Sequence, residues 1–152
     1  MNTKKIIAVV ITARPSYSRI KTVLLALRDN PSVDLRIILN SSAVLERFGN
    51  VAAVIENDGF EISERIYNSI EGDDIVTMPK TAGLAVIELG SIFRDLKPDA
   101  VISVADRFET LATSLTAAYM NIKLVHIQGG EISGSIDDKV RNASSVLADF
   151  HF

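Results

Sequence analysis

The stretch from Lys4 to Thr12 constrains this chain most, because it is a nearly continuous β-branched run with no polar alternation. A strand with one wet face alternates apolar and polar residues. One that does not alternate belongs in a parallel sheet covered by helices on both sides. The next segments agree. Ile20, Val23, Leu24 and Leu27 fall at i, i+3, i+4 and i+7, forming one apolar helical stripe that Asn30-Pro31 ends. Leu35 to Leu39 is the second strand. Ser42 to Asp58 is helical in pattern but broken at Gly49-Asn50, and Phe60 to Ile66 is a candidate third strand. Thr81 to Leu96 carries Val86, Leu89, Phe93 and Leu96 on one helical face and stops at Lys97-Pro98-Asp99. Ala100 to Val104 and Lys123 to Ile127 are further buried strands, separated by Glu109 to Met120, whose Ala, Thr and Ser content lets a helix approach a sheet closely. Residues 1–152 therefore read as a single Rossmann-like α/β domain, a doubly wound parallel sheet with right-handed crossovers. In that architecture ligands bind beyond the carboxyl ends of the strands.

Composition narrows the functional classes. With 47% apolar residues over 152 positions the chain builds a core of its own. The longest apolar runs fall far short of the ~20 residues that cross a bilayer, and no cleavable signal follows them, so the expectation is a cytoplasmic protein with no membrane partner. Zero cysteines exclude disulfides, thiolate chemistry and sulfur-based zinc sites, and two histidines make a metal centre improbable. Sixteen basic residues against nineteen acidic, without a basic cluster, argue against nucleic acid.

The strand ends carry the polar chemistry. Thr12-Ala13-Arg14-Pro15-Ser16 lacks the Gly-x-Gly-x-x-Gly of a dinucleotide site, which disfavours a nicotinamide cofactor. It offers instead a guanidinium beside a helix amino-terminus, where anions are attracted. The plainer alternative is a solvated Arg14 with Pro15 starting the helix. Asp106, in Asp106-Arg107-Phe108-Glu109, is either a catalytic carboxylate or a helix cap, the commoner use. His126 on an apolar strand is more often a hydrogen-bonded core residue than an acid or ligand. Gln128-Gly129-Gly130-Glu131 follows, with glycines that permit a sharp turn. Ser135 and Asp138 have capping-box spacing, while Asp137 and Asp138 also bring carboxylates into a helix's first turn, where the dipole keeps them ionised. Arg14, Asp106, Glu131 and Asp137 then share one rim, suited to acid/base chemistry on an anionic ligand.

Three motifs, Thr-Ala-Arg-Pro at 12–15, Asp-Arg-Phe-Glu-Thr-Leu-Ala at 106–112 and His-Ile-Gln-Gly-Gly-Glu-Ile-Ser-Gly-Ser-Ile-Asp-Asp-Lys-Val-Arg at 126–141, resemble the UDP-N-acetylglucosamine 2-epimerase family. The branch they resemble is the hydrolysing one, which forms N-acetylmannosamine-type sugars for sialic and legionaminic acid synthesis. The resemblance implies the amino-terminal half of a glycosyltransferase-B-type enzyme, with a UDP-sugar in the cleft toward a second domain that this chain lacks. It implies no cofactor, elimination of UDP to a 2-acetamidoglucal, and hydration with inversion at carbon 2. By motif match Asp106 and Asp137 are catalytic carboxylates, with Glu131 joining them as a possible substitute for Gln128. Arg14, Gln128, His126, Asp138 and Arg141 bind or orient the substrate. Gln128 stands where many members carry an acidic or histidine side chain, and an amide exchanges no proton at neutral pH. The lone domain is expected to turn over little and, with a face meant for burial left open, to form a homo-oligomer. Two alternatives stand beside this reading: a non-hydrolysing UDP-sugar 2-epimerase, and a non-catalytic binding module.

Overall fold

A computed structural model of the chain describes residues 4–72, 74–104 and 107–152. Its elements run β1 (Lys5–Ile11), α1 (Arg14–Asp29), β2 (Val33–Asn40), two 3-10 turns at Ser41–Val44 and Glu46–Phe48, α2 (Val51–Asn57), β3 (Ile62–Ile66), α3 (Thr77–Leu96), β4 (Ala100–Val104), α4 (Thr110–Tyr119), β5 (Lys123–Ile127), α5 (Ile136–Leu147) and β6 (Phe150–His151). The sheet has the order β3-β2-β1-β4-β5-β6, and every neighbouring pair is parallel. This is the doubly wound Rossmann order.

Both faces of the sheet are packed, as the unalternating β1 run demands. Val9 and Ile11 point into one core with Ile20 and Leu24 of α1, Val51 and Ile55 of α2, and Ile37 and Leu39 of β2. Ala8 and Val10 point the other way, against Ala85, Leu89 and Phe93 of α3 and Ala112 and Ala117 of α4. Strand side chains alternate across the sheet, so two adjacent apolar residues serve two different cores. The alanines of α4 bring that helix close to its neighbours.

Besides the wider bounds of β2, three local features differ from the sequence expectation. The helix expected from Thr81 begins at Thr77, because Pro79 is its third residue, where a missing N–H forfeits no intrahelical bond. The third strand starts at Ile62 and not at Phe60. The short β6 was not foreseen; it is stitched to β5 by Phe152 N–H donating to the His126 carbonyl at 3.0 Å and Gln128 N–H donating to the Phe152 carbonyl at 2.7 Å. The break at Gly49-Asn50 is real: both residues adopt left-handed φ values of 98° and 43°, and the Asn50 side chain caps α2 by accepting from Ala53 N–H. Among the described residues no helix is long and apolar enough to cross a membrane.

Candidate active site

Because all six strands are parallel, the loops that follow them converge on one edge of the sheet. The chain runs outward from β1 through β2 to β3 and then returns to the other side of β1 as β4. That reversal opens a crevice beyond the carboxyl ends of β1 and β4, where ligands of this architecture sit. Asp106 follows β4 in the sequence and lies outside the described residues, as does Ala105.

Arg14 is the first residue of α1 and is exposed, with Pro15 beside it in the first turn. Its guanidinium lies against Gly49, where an added Cβ would come within 3.0 Å of Nη1. The end of β1 is tied down by the Thr12 carbonyl, which accepts from Ala43 N–H at 3.1 Å and from the Ser42 hydroxyl at 2.8 Å.

The segment after β5 forms a second, denser cluster. Arg141 on α5 is fully buried and donates to the Glu131 carbonyl and, at 3.0 Å, to Asp138 Oδ1. Asp138 also accepts from Ser133 N–H at 2.7 Å, the Ser133 hydroxyl at 2.8 Å and Gly134 N–H at 2.7 Å. These bonds, those of Ser133 first, hold its carboxyl far below the usual carboxylate range. Ser135 does cap α5, accepting from Asp137 N–H at 3.2 Å. The reciprocal half of the expected capping box is absent, because Asp138 folds over the preceding turn and does not reach back to the cap residue. Asp138 is therefore a clasp for the loop. Asp137, one position earlier and half-buried, has no hydrogen-bond or ion-pair partner for its carboxylate among the described residues. Of the two neighbours it is the one with lone pairs to offer a ligand.

His126 is completely buried, its Nδ1 2.8 Å from the Ser103 hydroxyl on β4. Burial, with the nearby charges of His151 and Arg141, pushes its pKa down and favours the neutral ring. The hydrogen-bonded core histidine of the plainer sequence reading is what the fold contains. Gln128 adopts a left-handed φ of 66°, and its Oε1 is buried without a hydrogen-bond partner among the described residues. Glu131 and Arg141 are thus joined directly with Asp138, while Arg14 stands apart on the β1 side of the same edge. Among the described residues no cluster of His, Asp and Glu could hold a metal.

Sequence reasoning passed over a third region. A cleft of about 500 Å³ opens at the ends of β2, β3 and β4, lined by Ser41, Phe48, Ser69, Thr81, Arg107 and Glu109 among others. An Arg47–Glu71 ion pair spans two of its lining residues, each more than half exposed. The signal available for it was the charged run Arg107-Phe108-Glu109 directly before a helix.

Comparison with known proteins gives this geometry a lineage. A family model described as UDP-N-acetylglucosamine 2-epimerase matches residues 25–152. The chain is 34% identical to a UDP-N,N'-diacetylbacillosamine 2-epimerase (hydrolyzing) of Legionella pneumophila over 98% of its own length and 39% of that protein's. It is 31% identical to a GDP/UDP-N,N'-diacetylbacillosamine 2-epimerase (hydrolyzing) of Campylobacter jejuni, again over 98% of this chain and 39% of the relative. The chain thus spans about two-fifths of the length of the relatives it matches. In three dimensions it superposes on a crystal structure of UDP-N-acetylglucosamine 2-epimerase with a TM-score of 0.85 at 22% identity, covering 99% of this chain and 42% of that one. It also superposes on Acinetobacter baumannii MurG with a TM-score of 0.70 at 13% identity, covering 97% of this chain and 40% of that one. These structural likenesses establish the fold, the Rossmann-like half of a glycosyltransferase-B-type architecture. From the family match and the two hydrolysing relatives together, the chain belongs to the UDP-N-acetylglucosamine 2-epimerase family.

Proposed function

We propose that this chain is the amino-terminal, substrate-processing half of a hydrolysing UDP-sugar 2-epimerase, with a second domain completing the nucleotide cleft. The observation that carries the reading is the division of labour after β5. Asp138 is saturated with four hydrogen-bond donors, while the adjacent Asp137 carboxylate is left unengaged at the amino-terminus of α5. A base for carbon 2 of an N-acetylated sugar needs an ionised carboxylate with free lone pairs, and the helix dipole favours that form. Asp137 and Asp106 are the catalytic carboxylates in this reading, and Glu131 is a third acidic group on the loop that leads into α5. One carboxylate removes the carbon-2 proton while the bond from the anomeric carbon to UDP breaks, giving a 2-acetamidoglucal with its double bond between carbons 1 and 2. Water then adds, its oxygen to carbon 1 and a proton to carbon 2 from the opposite face, so the configuration at carbon 2 inverts. Arg14 at the start of α1 contributes positive charge toward the departing diphosphate. Asp138 and Arg141 hold the loop that leads into α5 and Asp137, with His126 beneath it, and Gln128 contacts the sugar by hydrogen bonding.

The test is an assay for UDP release from UDP-N-acetylglucosamine and UDP-N,N'-diacetylbacillosamine, with the chain alone and with the remaining three-fifths of a hydrolysing relative supplied. Release only in the complemented mixture, lost in Asp137→Asn, is the expected result. Robust turnover by the chain alone would overturn the two-domain reading. A free 2-epimeric sugar as product separates hydrolysis from epimerisation that restores the UDP linkage.

A further inference from the structure

Glu109 is 1% exposed and has no part in the chemistry above. It occupies the cap position of α4, yet its side chain makes no capping bond to that helix. The carboxylate turns instead to the cleft. Its Oε1 accepts from the Ser41 hydroxyl at 2.8 Å and from Arg107 Nη2 at 3.2 Å, and its Oε2 accepts from Arg107 Nε at 3.1 Å. Two parallel bonds from one guanidinium to one carboxylate set the plane of the arginine as well as its distance. The Arg107 side chain remains 46% exposed and lines the cleft, and its Nη1 has no hydrogen-bond partner among the described residues.

The carboxylate is itself fixed. Ser41 sits at a left-handed φ of 56°, its N–H donating to the Asn68 side-chain oxygen at 3.0 Å, and the Asn68 amide donates to the Thr81 carbonyl at 3.0 Å. The loops after β2 and β3, the first turns of α3 and the start of α4 are thereby linked through Glu109. Burying a carboxylate is strongly unfavourable unless its oxygens are satisfied. An arginine needed only for solubility requires no such arrangement.

We infer that Glu109 is the positioning residue for Arg107, holding the guanidinium so that its free Nη1 edge meets an anionic group of a ligand in the cleft. The nature of that ligand rests on the nucleotide-sugar reading; the positioning itself does not. Two measurements separate them. In ¹⁵N NMR of the chain without ligand, the Arg107 Nε–H, assigned by its loss in Arg107→Lys, exchanges slowly with water. In Glu109→Gln, which keeps the side chain's shape, and in Glu109→Ala, it exchanges at least about tenfold faster. In calorimetric titration of the chain complemented with the remaining part of a hydrolysing relative, with UDP and with UDP-N-acetylglucosamine, Glu109→Gln and Arg107→Ala each weaken binding about tenfold, and the double variant binds no more weakly than Arg107→Ala alone. Unchanged Nε–H exchange in folded Glu109→Gln, or additive losses in the double variant, would overturn the assignment. A complemented wild-type mixture that gives no heat with either probe counts against the nucleotide-sugar reading, and the exchange measurement then decides on Glu109 alone.

Discussion

At the scale of single residues, the contrast between Asp137 and Asp138 shows how neighbouring positions can hold one carboxylate bound by four donors and one left open. Ser133, Gly134 and Arg141 depress the folded-state pKa of Asp138 far below its ordinary value of 3.8. Its contribution to stability is therefore complete at neutral pH and is lost as pH falls through the ordinary range toward the folded value. Asp58, Asp99 and Asp149 are depressed as well, by Lys21 and Tyr17, by Lys5 and Ile6 N–H, and by Leu124 N–H and Lys123 respectively. Urea denaturation should show wild-type stability declining below about pH 4. Asp138→Asn should be less stable at pH 7 and should decline less steeply in acid; parallel curves for the two proteins would refute the clasp. The two aspartates look alike as letters. What distinguishes them is the fold of Ser133-Gly134 over one and not the other, which spacing does not encode.

At the scale of elements, the turn from β5 into α5 depends on a glycine for space and not for φ. A Cβ on Gly129 would lie 2.6 Å from Ser145 Oγ and 3.2 Å from His126 Cδ2. Gly129→Ala should destabilise the domain by about 1–3 kcal/mol. Adding Ser145→Ala, which removes the hydroxyl in the way, should recover much of that loss. Thermal unfolding of the single and double variants reads both effects, and equal midpoints for the two would show that the clash relaxes elsewhere. The strands β4 and β5 were legible to the residue, because short β-branched runs between turn signals have few other fates. The bounds of β2 were wider than expected and β6 was invisible. Two residues carry no periodicity, and their strand character comes from bonds to β5, a partner 25 positions away in register.

At the scale of the whole molecule, apolar side chains remain uncovered. Ile75, Tyr119, Ile132, Val146 and Phe152 are each more than three-quarters exposed. Side chains left open in this way are available for apolar contact with other protein. Light scattering should report a mass that rises with concentration above the 16.5 kDa of one chain. A clean monomer at high concentration would contradict this.

The order of the elements up to α5, the parallel sheet and the rim on which its loops gather were already implied by the residues, because unalternating strands separated by amphipathic helices have one economical way to bury both faces. The motifs likewise pointed to the family, since chemistry at strand ends is written in short contiguous runs. Which carboxylate is clasped and which is open, that His126 is sealed under the loop, and that Glu109 turns from its own helix to grip Arg107 were decided only on folding. Each depends on side chains from different strand ends meeting in space, and the hydrogen bonds that sort them form between positions as far apart as Ser41 and Glu109.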